Sequence, residues 1–107
     1  VSKDEVTKYG ILIPGLDEGT VSGIVEKPSE EDAPSNFASI GRYLLTPEIF
    51  DILRDLEPGR NNEIQLVDAI HRIAQGGCVA STELDGERFD CGSLEGYLDA
   101  LERMKIY

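Results

Sequence analysis

All five prolines of the chain stand at the edges of apolar runs or in the loops between them. Proline has no N–H to donate and a fixed φ, so it is excluded from helix interiors and central strands. Pro14-Gly15 closes "YGILIPG" (9–15), Pro28 stops the run through Ile24-Val25, and Pro34 lies in the polar stretch "SEEDAPSN" (29–36). Pro47 opens "TPEIFDILRDLEPG" (46–59), and Pro58-Gly59 ends it. A chain cut this way can only be built from short elements. None of its apolar runs approaches the roughly 18 residues of a membrane-spanning helix.

Between these stops the periodicity assigns the elements. Residues 9–15 and 21–25, joined by the turn residues Asp17-Glu18-Gly19-Thr20, read as a hairpin or two neighbouring strands. "FASIGRYLL" (37–45) reads as a strand whose central Gly41 marks a bulge or a close backbone approach. A helix follows, with Thr46 as N-cap, Pro47 in the first helical position and Glu48 at the positive end of the dipole. Its apolar face is Ile49, Ile52, Leu53 and Leu56, widened by Phe50. A second helix within "NNEIQLVDAIHRIAQGG" (61–77) buries Val67, Ile70, Ile73 and Ala74 and stops at Gly76. "CVASTEL" (78–84) and "ERFD" (87–90) read as strands about the turn Asp85-Gly86. The terminal helix, within "GSLEGYLDALERMKIY" (92–107), is capped by Ser93 and aligns Leu94, Tyr97, Leu98, Leu101 and Met104. The fold class is α/β, with about three helices covering a mixed sheet.

At 107 residues the chain is one domain or part of one. It begins with "VSKDEVTKYG", which has no methionine start and is no secretory signal; this fits a piece of a longer protein. The formal charge of −11 argues against nucleic acid or an anionic membrane as a partner. Two cysteines, Cys78 and Cys91, make neither a disulfide framework nor a zinc site, and reduced thiols point to the cytoplasm.

Few groups can carry chemistry. No glycine-rich loop joins a strand to a helix, and no nucleophile–histidine–acid pattern is present. His71, the single histidine, falls within a helix and reads as packed or solvated. Glu63 and Asp68 flank a helix start, where acids favour the dipole without any further role. Arg42 and Tyr43 are either pocket wall or plain packing. Glu26-Lys27 is different: an opposite-charge pair ends a strand just before Pro28, which holds its predecessor extended. A carboxylate there can accept from two sugar hydroxyls, and an ammonium beside it can reach a phosphate. Asp90, in "RFDCGS", is either a turn-forming aspartate or a magnesium ligand beside a glycine that lets phosphate approach.

"VEKP" (25–28), "APSNFASIGRYLLTPEIFDIL" (33–53), "NEIQLVDAI" (62–70) and "RFDCGSLEGYLDA" (88–100), in that order, resemble the C-terminal part of the bacterial UTP–glucose-1-phosphate uridylyltransferases, the UDP-glucose pyrophosphorylases. "VTKYGILIP" (6–14) is similar to that family too, so the likeness runs through essentially the whole chain. It implies a Rossmann-like sugar-nucleotidyltransferase fold and a magnesium-dependent reaction of UTP with glucose 1-phosphate, giving UDP-glucose and pyrophosphate. It implies that Glu26 holds glucose hydroxyls, Lys27 the sugar's phosphate, Gly10 the sugar by its backbone, and Asp90 the metal. Asn36 and Gly41 fall, more loosely, where the family lines its sugar pocket.

The family's N-terminal half carries a glycine-rich loop and another magnesium aspartate, and neither lies in these residues. Residues 1–107 are therefore expected to be the sugar-phosphate-binding part, inactive alone, without the nucleotide-binding half. Ser93-Leu94-Glu95 also stands where the family often has a lysine, and Asn61-Asn62 where a glycine commonly precedes Glu63. Three rival readings stay open: a branch using another base or sugar, a non-catalytic sugar-phosphate-binding module, and an oligomer interface. Strands cut from a larger sheet expose an edge, so homo-oligomers are expected.

Overall fold

The computed structural model describes residues 1–105; Ile106 and Tyr107, the end of the expected terminal helix, lie outside the described residues. Strands β1 (Gly10–Pro14) and β2 (Thr20–Glu26) form an antiparallel hairpin. Its turn is closed by the Gly15 N–H donating to the Thr20 carbonyl (2.8 Å) and the Thr20 N–H donating to the Asp17 carbonyl (3.1 Å). Gly19 takes φ +78°, a conformation glycine adopts without steric cost. The register runs from Gly10 opposite Glu26 to Ile13 opposite Gly23, then slips so that Pro14 faces Val21.

Helices α1 (Glu48–Asp55) and α2 (Leu66–Gln75) precede a two-residue strand, β3 (Val79–Ala80), and the chain closes with α3 (Leu94–Met104). A 3-10 helix, Lys3–Lys8, leads into β1. The sheet order is β1-β2-β3, antiparallel throughout, with β3 opposite Thr20 and Val21. The α/β class and three α-helices match the reading of the sequence.

The core lies between the hairpin and the first two helices. Ile24, Ile49, Ala69 and Ile70 are buried together, with Leu12, Ile52, Leu53, Leu56, Val67, Ile73 and Val79 packed against them. Each large aliphatic side chain fully buried there contributes about 1.5–3 kcal/mol. The α1 face is as expected except for Phe50, which is 61% exposed and does not widen it. Thr46 contributes its carbonyl, which accepts from the Ile49 N–H at 3.1 Å.

Three expected elements differ. Residues 37–45 form no strand: one bridge, Ile11 to Ala38, ties them to the outer edge of β1 before Gly41 (φ +87°) and Arg42 (φ +61°) turn the chain away. "CVASTEL" shrinks to β3, and "ERFD" pairs with nothing among the described residues. A strand needs a partner edge as well as propensity, and β3 reaches only the far end of β2. Further along β2 that edge is taken by a side chain: the Ile24 N–H donates to His71 Nδ1 at 2.9 Å. His71 is thus a packed histidine. It can come so close because Gly23 has no side chain; a β-carbon there would lie 2.7 Å from His71 Cε1.

Candidate functional site

Gly10 and Glu26 meet at the open end of the hairpin, as register partners in the last pair of the β1–β2 ladder. The carboxylate leans across the glycine: a β-carbon on Gly10 would lie 3.1 Å from Glu26 Oε2 and 3.2 Å from Ile24 Cγ2. A β-carbon at position 10 would require Glu26 and Ile24 to give by a few tenths of an ångström. The pair faces a cleft of about 330 Å³ whose other walls are Lys8, Tyr9, Ser39, Tyr43, Gln65, Leu66 and Val67. That volume is within the range of small-molecule sites, about 300–1,000 Å³. One wall is the first turn of α2, where unpaired N–H groups and the helix dipole favour an anion.

A second wall is built by the turn at Gly41. With Gly41 and Arg42 both left-handed, the chain folds back so that the Ser39 and Tyr43 hydroxyls hydrogen-bond at 2.8 Å. Both residues also border a larger, more apolar cleft of about 400 Å³, which Gly41 itself lines. Gly41 therefore shapes the wall of the Glu26 cleft without lining it. Tyr43, left open between pocket wall and packing, lines the cleft; Arg42 borders only the larger one.

Lys27 is exposed and is not among the residues lining the Glu26 cleft. Its backbone is not extended, as a residue before proline should be, but left-handed at φ +45°. Such a conformation costs on the order of 1–3 kcal/mol for a non-glycine residue. It is held by a Lys27 N–H bond to the Tyr9 carbonyl at 2.9 Å, which continues the ladder, and by the burial of Pro28. Of the two charges, Glu26 lines the cleft and Lys27 does not. Asn36 is exposed, and its carbonyl accepts from the Val1 ammonium at 2.9 Å.

Asp90 is exposed, and its Oδ1 accepts from the Gly92 N–H at 3.0 Å, so it does form a turn. It is not among the residues lining the cleft. No group of three or more His, Cys, Asp or Glu side chains is placed to hold a metal among the described residues. A lone exposed carboxylate still fits magnesium, which takes one or two carboxylates and completes its shell with water and phosphate. Cys78 and Cys91 are both free and exposed.

Lys8, Tyr9, Ser39 and Gln65 escaped the sequence reading. Tyr9 carried a faint signal, as the neighbour of the one glycine singled out in β1. It also receives the guanidinium of Arg88, whose Nη1 donates to the Tyr9 hydroxyl at 2.9 Å and whose Cζ stands 4.6 Å from the ring centroid. The asparagines before Glu63 also find a reason here. Asn61 (φ +59°) and Asn62 (φ +58°) are left-handed, and asparagine tolerates that conformation better than most residues.

A family profile described as "Nucleotidyl transferase" matches residues 1–105. The chain belongs to the nucleotidyl transferase family. It is 50% identical over 103 residues to a UTP–glucose-1-phosphate uridylyltransferase of Pseudomonas aeruginosa, and 48% identical over 103 residues to one of Streptococcus pneumoniae. These alignments cover 94% and 92% of this chain but only 37% and 34% of the relatives. A solved UDP-glucose pyrophosphorylase complexed with UDP-glucose superposes with a TM-score of 0.87 at 47% identity, over 98% of this chain and 41% of that one. The Acinetobacter baumannii UDP-glucose pyrophosphorylase gives 0.78 at 36% identity, over 96% and 36%. The nucleotidyl transferase fold and the resemblance read from the motifs are thus borne out. The chain spans a little over a third of the relatives it matches.

Proposed function

We propose that this chain is the sugar-phosphate-binding part of an enzyme that makes UDP-glucose and pyrophosphate from UTP and glucose 1-phosphate. The observation that carries the reading is the Gly10–Glu26 pair: a glycine kept bare so that a carboxylate can lie over backbone on the floor of a cleft. A hexose offers neighbouring hydroxyl donors, and a carboxylate is an acceptor-only group with two oxygens. The costly left-handed turn at Lys27 supports the same reading, since such conformations cluster at ligand sites. In this proposal Glu26 binds glucose hydroxyls and Lys27 reaches the phosphate from the cleft's edge. Asn36 and Gly41 hold the loop that bounds the sugar.

The nucleotide-binding half then belongs to the part of the relatives that this chain does not span, and the chain alone turns over no substrate. Asp90 would hold magnesium, which would neutralise phosphate charge when bound. Phosphoryl chemistry of this kind is largely positioning and charge neutralisation, so a piece that only positions one substrate is a coherent unit.

Calorimetric titration of glucose 1-phosphate into the chain tests the proposal. Saturable binding is expected. Lys27→Ala should weaken it about tenfold to a hundredfold, the worth of a charge-assisted hydrogen bond of about 1.5–3 kcal/mol. Glu26→Gln should weaken glucose 1-phosphate and a neutral glucoside alike, because it touches the sugar and not the phosphate. Affinity unchanged in both variants, or no binding by the parent chain, would sink the assignment.

A further inference from the structure

We infer that Arg88 is a positioning residue: by clamping Tyr9 it fixes the Asp90 turn relative to the Gly10–Glu26 cleft. The inference rests on the functional reading for what the cleft binds, and on geometry for the rest. Tyr9 lines the cleft and directly precedes Gly10, while Arg88 stands two residues before Asp90. The contact spans 79 positions of sequence. It is a double grip, with Nη1 donating to the hydroxyl at 2.9 Å and the guanidinium 4.6 Å from the ring centroid. Arginine can make both contacts at once because its planar fork carries donors at the edge and charge at the face.

Little else holds that region. Among the described residues no other hydrogen bond joins 82–105 to the rest of the chain. None of residues 81–105 is buried, so packing does not fix them either. The ion pair there, Arg103 with Glu87, is internal to the region. Within the region the Asp90 turn is held by its own Asp90–Gly92 bond and by the close packing of the Asp90 carbonyl on Gly96 of α3, and the clamp is what ties it to the cleft. A ligand that orders Tyr9 at the cleft wall must therefore order residues 88–92 through Arg88. A carboxylate set to meet a metal at the substrate's phosphate needs such a link, since its own segment supplies none.

Residue-resolved hydrogen exchange on the 107-residue chain, free and saturated with glucose 1-phosphate, tests this. The Gly10 amide reports the cleft and the Gly92 amide reports the Asp90 turn. In the parent chain both should be protected by ligand, Gly92 by about fivefold or more, the lower end of ordinary site–site coupling. Arg88→Ala should keep the response at Gly10 and abolish the one at Gly92. Arg88→Lys, which keeps the cation and loses the fork, should restore part of it. If Gly10 responds in the parent but Gly92 does not, or if Arg88→Ala leaves the Gly92 response intact, the clamp has no positioning role and the functional reading stands. If Gly10 itself does not respond, the functional reading fails and takes the inference with it.

Discussion

Two helices of this chain carry the same kind of amphipathic stripe and meet opposite fates. In α2, Ala69, Ile70 and Ala74 are buried against β2 and α1. In α3 the stripe is of the same kind, yet Leu94 is 75% exposed, Met104 67%, and no residue of the helix is buried. The difference extends to whole regions, since every buried residue among those described lies between Val6 and Ala74. A 3.6-residue repeat states which face of a helix wants covering and says nothing about what covers it. The hairpin supplies a partner for α2. For α3 nothing within residues 1–105 does so, and the relatives are longer by well over half their length.

The comparison is most easily broken at the two stripes themselves. Ile70→Ala should cost about 2–5 kcal/mol, because it opens a cavity in a closed core. Leu98→Ala, the same kind of truncation on α3, should stay within about 0.5 kcal/mol. Urea denaturation followed by far-ultraviolet dichroism measures both. Equal losses would mean that α3 is as firmly docked as α2, and the contrast would be false.

A smaller effect sharpens what holds α2 in place. His71→Ala leaves the Ile24 N–H without its acceptor on a half-covered edge, at a cost of about 1–3 kcal/mol. Gly23→Ala should destabilise in the same direction by driving its methyl into the imidazole. The double variant should cost less than the sum, since both changes remove one contact. Strict additivity in the denaturation midpoints would show that the glycine and the histidine are unconnected.

That pair also marks how far the sequence could be read. The stripe of α2, the turn at Asp17–Thr20 and the Ser93 cap were legible because each is local: periodicity, turn chemistry and capping depend on near neighbours. Gly10 and Glu26 were legible through motif resemblance, and only the register of the hairpin explains why they belong together. Residues 37–45 misled because their pairing with the outer edge of β1 ends after one bridge, where Gly41 and Arg42 turn the chain away. Phe37 and Leu44 remain 55% and 102% exposed where a strand would have buried one face. The contact between Arg88 and Tyr9 was invisible, since nothing in either neighbourhood announces a partner 79 positions away. Lys27 was misjudged in conformation because the usual pre-proline preference is overridden by its ladder bond to Tyr9.

The caps of the two regions give a finer contrast. Ser93 Oγ accepts from the Gly96 N–H at 3.1 Å at the start of α3. Ser93→Ala should cost that helix about 1 kcal/mol. With no core contact to transmit the loss, the global midpoint should hardly move, while exchange at the Gly96 amide accelerates several-fold. A shift of the global transition by the full amount would instead couple α3 to the core.

At the other end, the Glu5 carboxylate accepts from the Ser2 hydroxyl at 2.7 Å and from the Ser2 N–H at 3.0 Å. The hydroxyl first, then the N–H, hold Glu5 below its ordinary value of 4.5, and the Ser2 hydroxyl does the same for Asp4. Because these folded values are depressed, their contribution is complete above the unfolded values and is lost as pH falls through the lower, folded ones. Asp4 is exposed and Glu5 is at the surface, neither of them buried, so the effect should be small and local. Here the sequel differs from α3. Val6, in the same 3-10 helix, is entirely buried, and that anchor remains when the carboxylates are protonated. Acidification should therefore lower the protection of the Glu5 amide relative to its intrinsic exchange rate while the methyl resonances of Val6 stay in place, and Ser2→Ala should flatten the pH dependence of that protection. Val6 resonances that shift together with the Glu5 exchange would show that the cap, and not the buried valine, holds this segment to the hairpin.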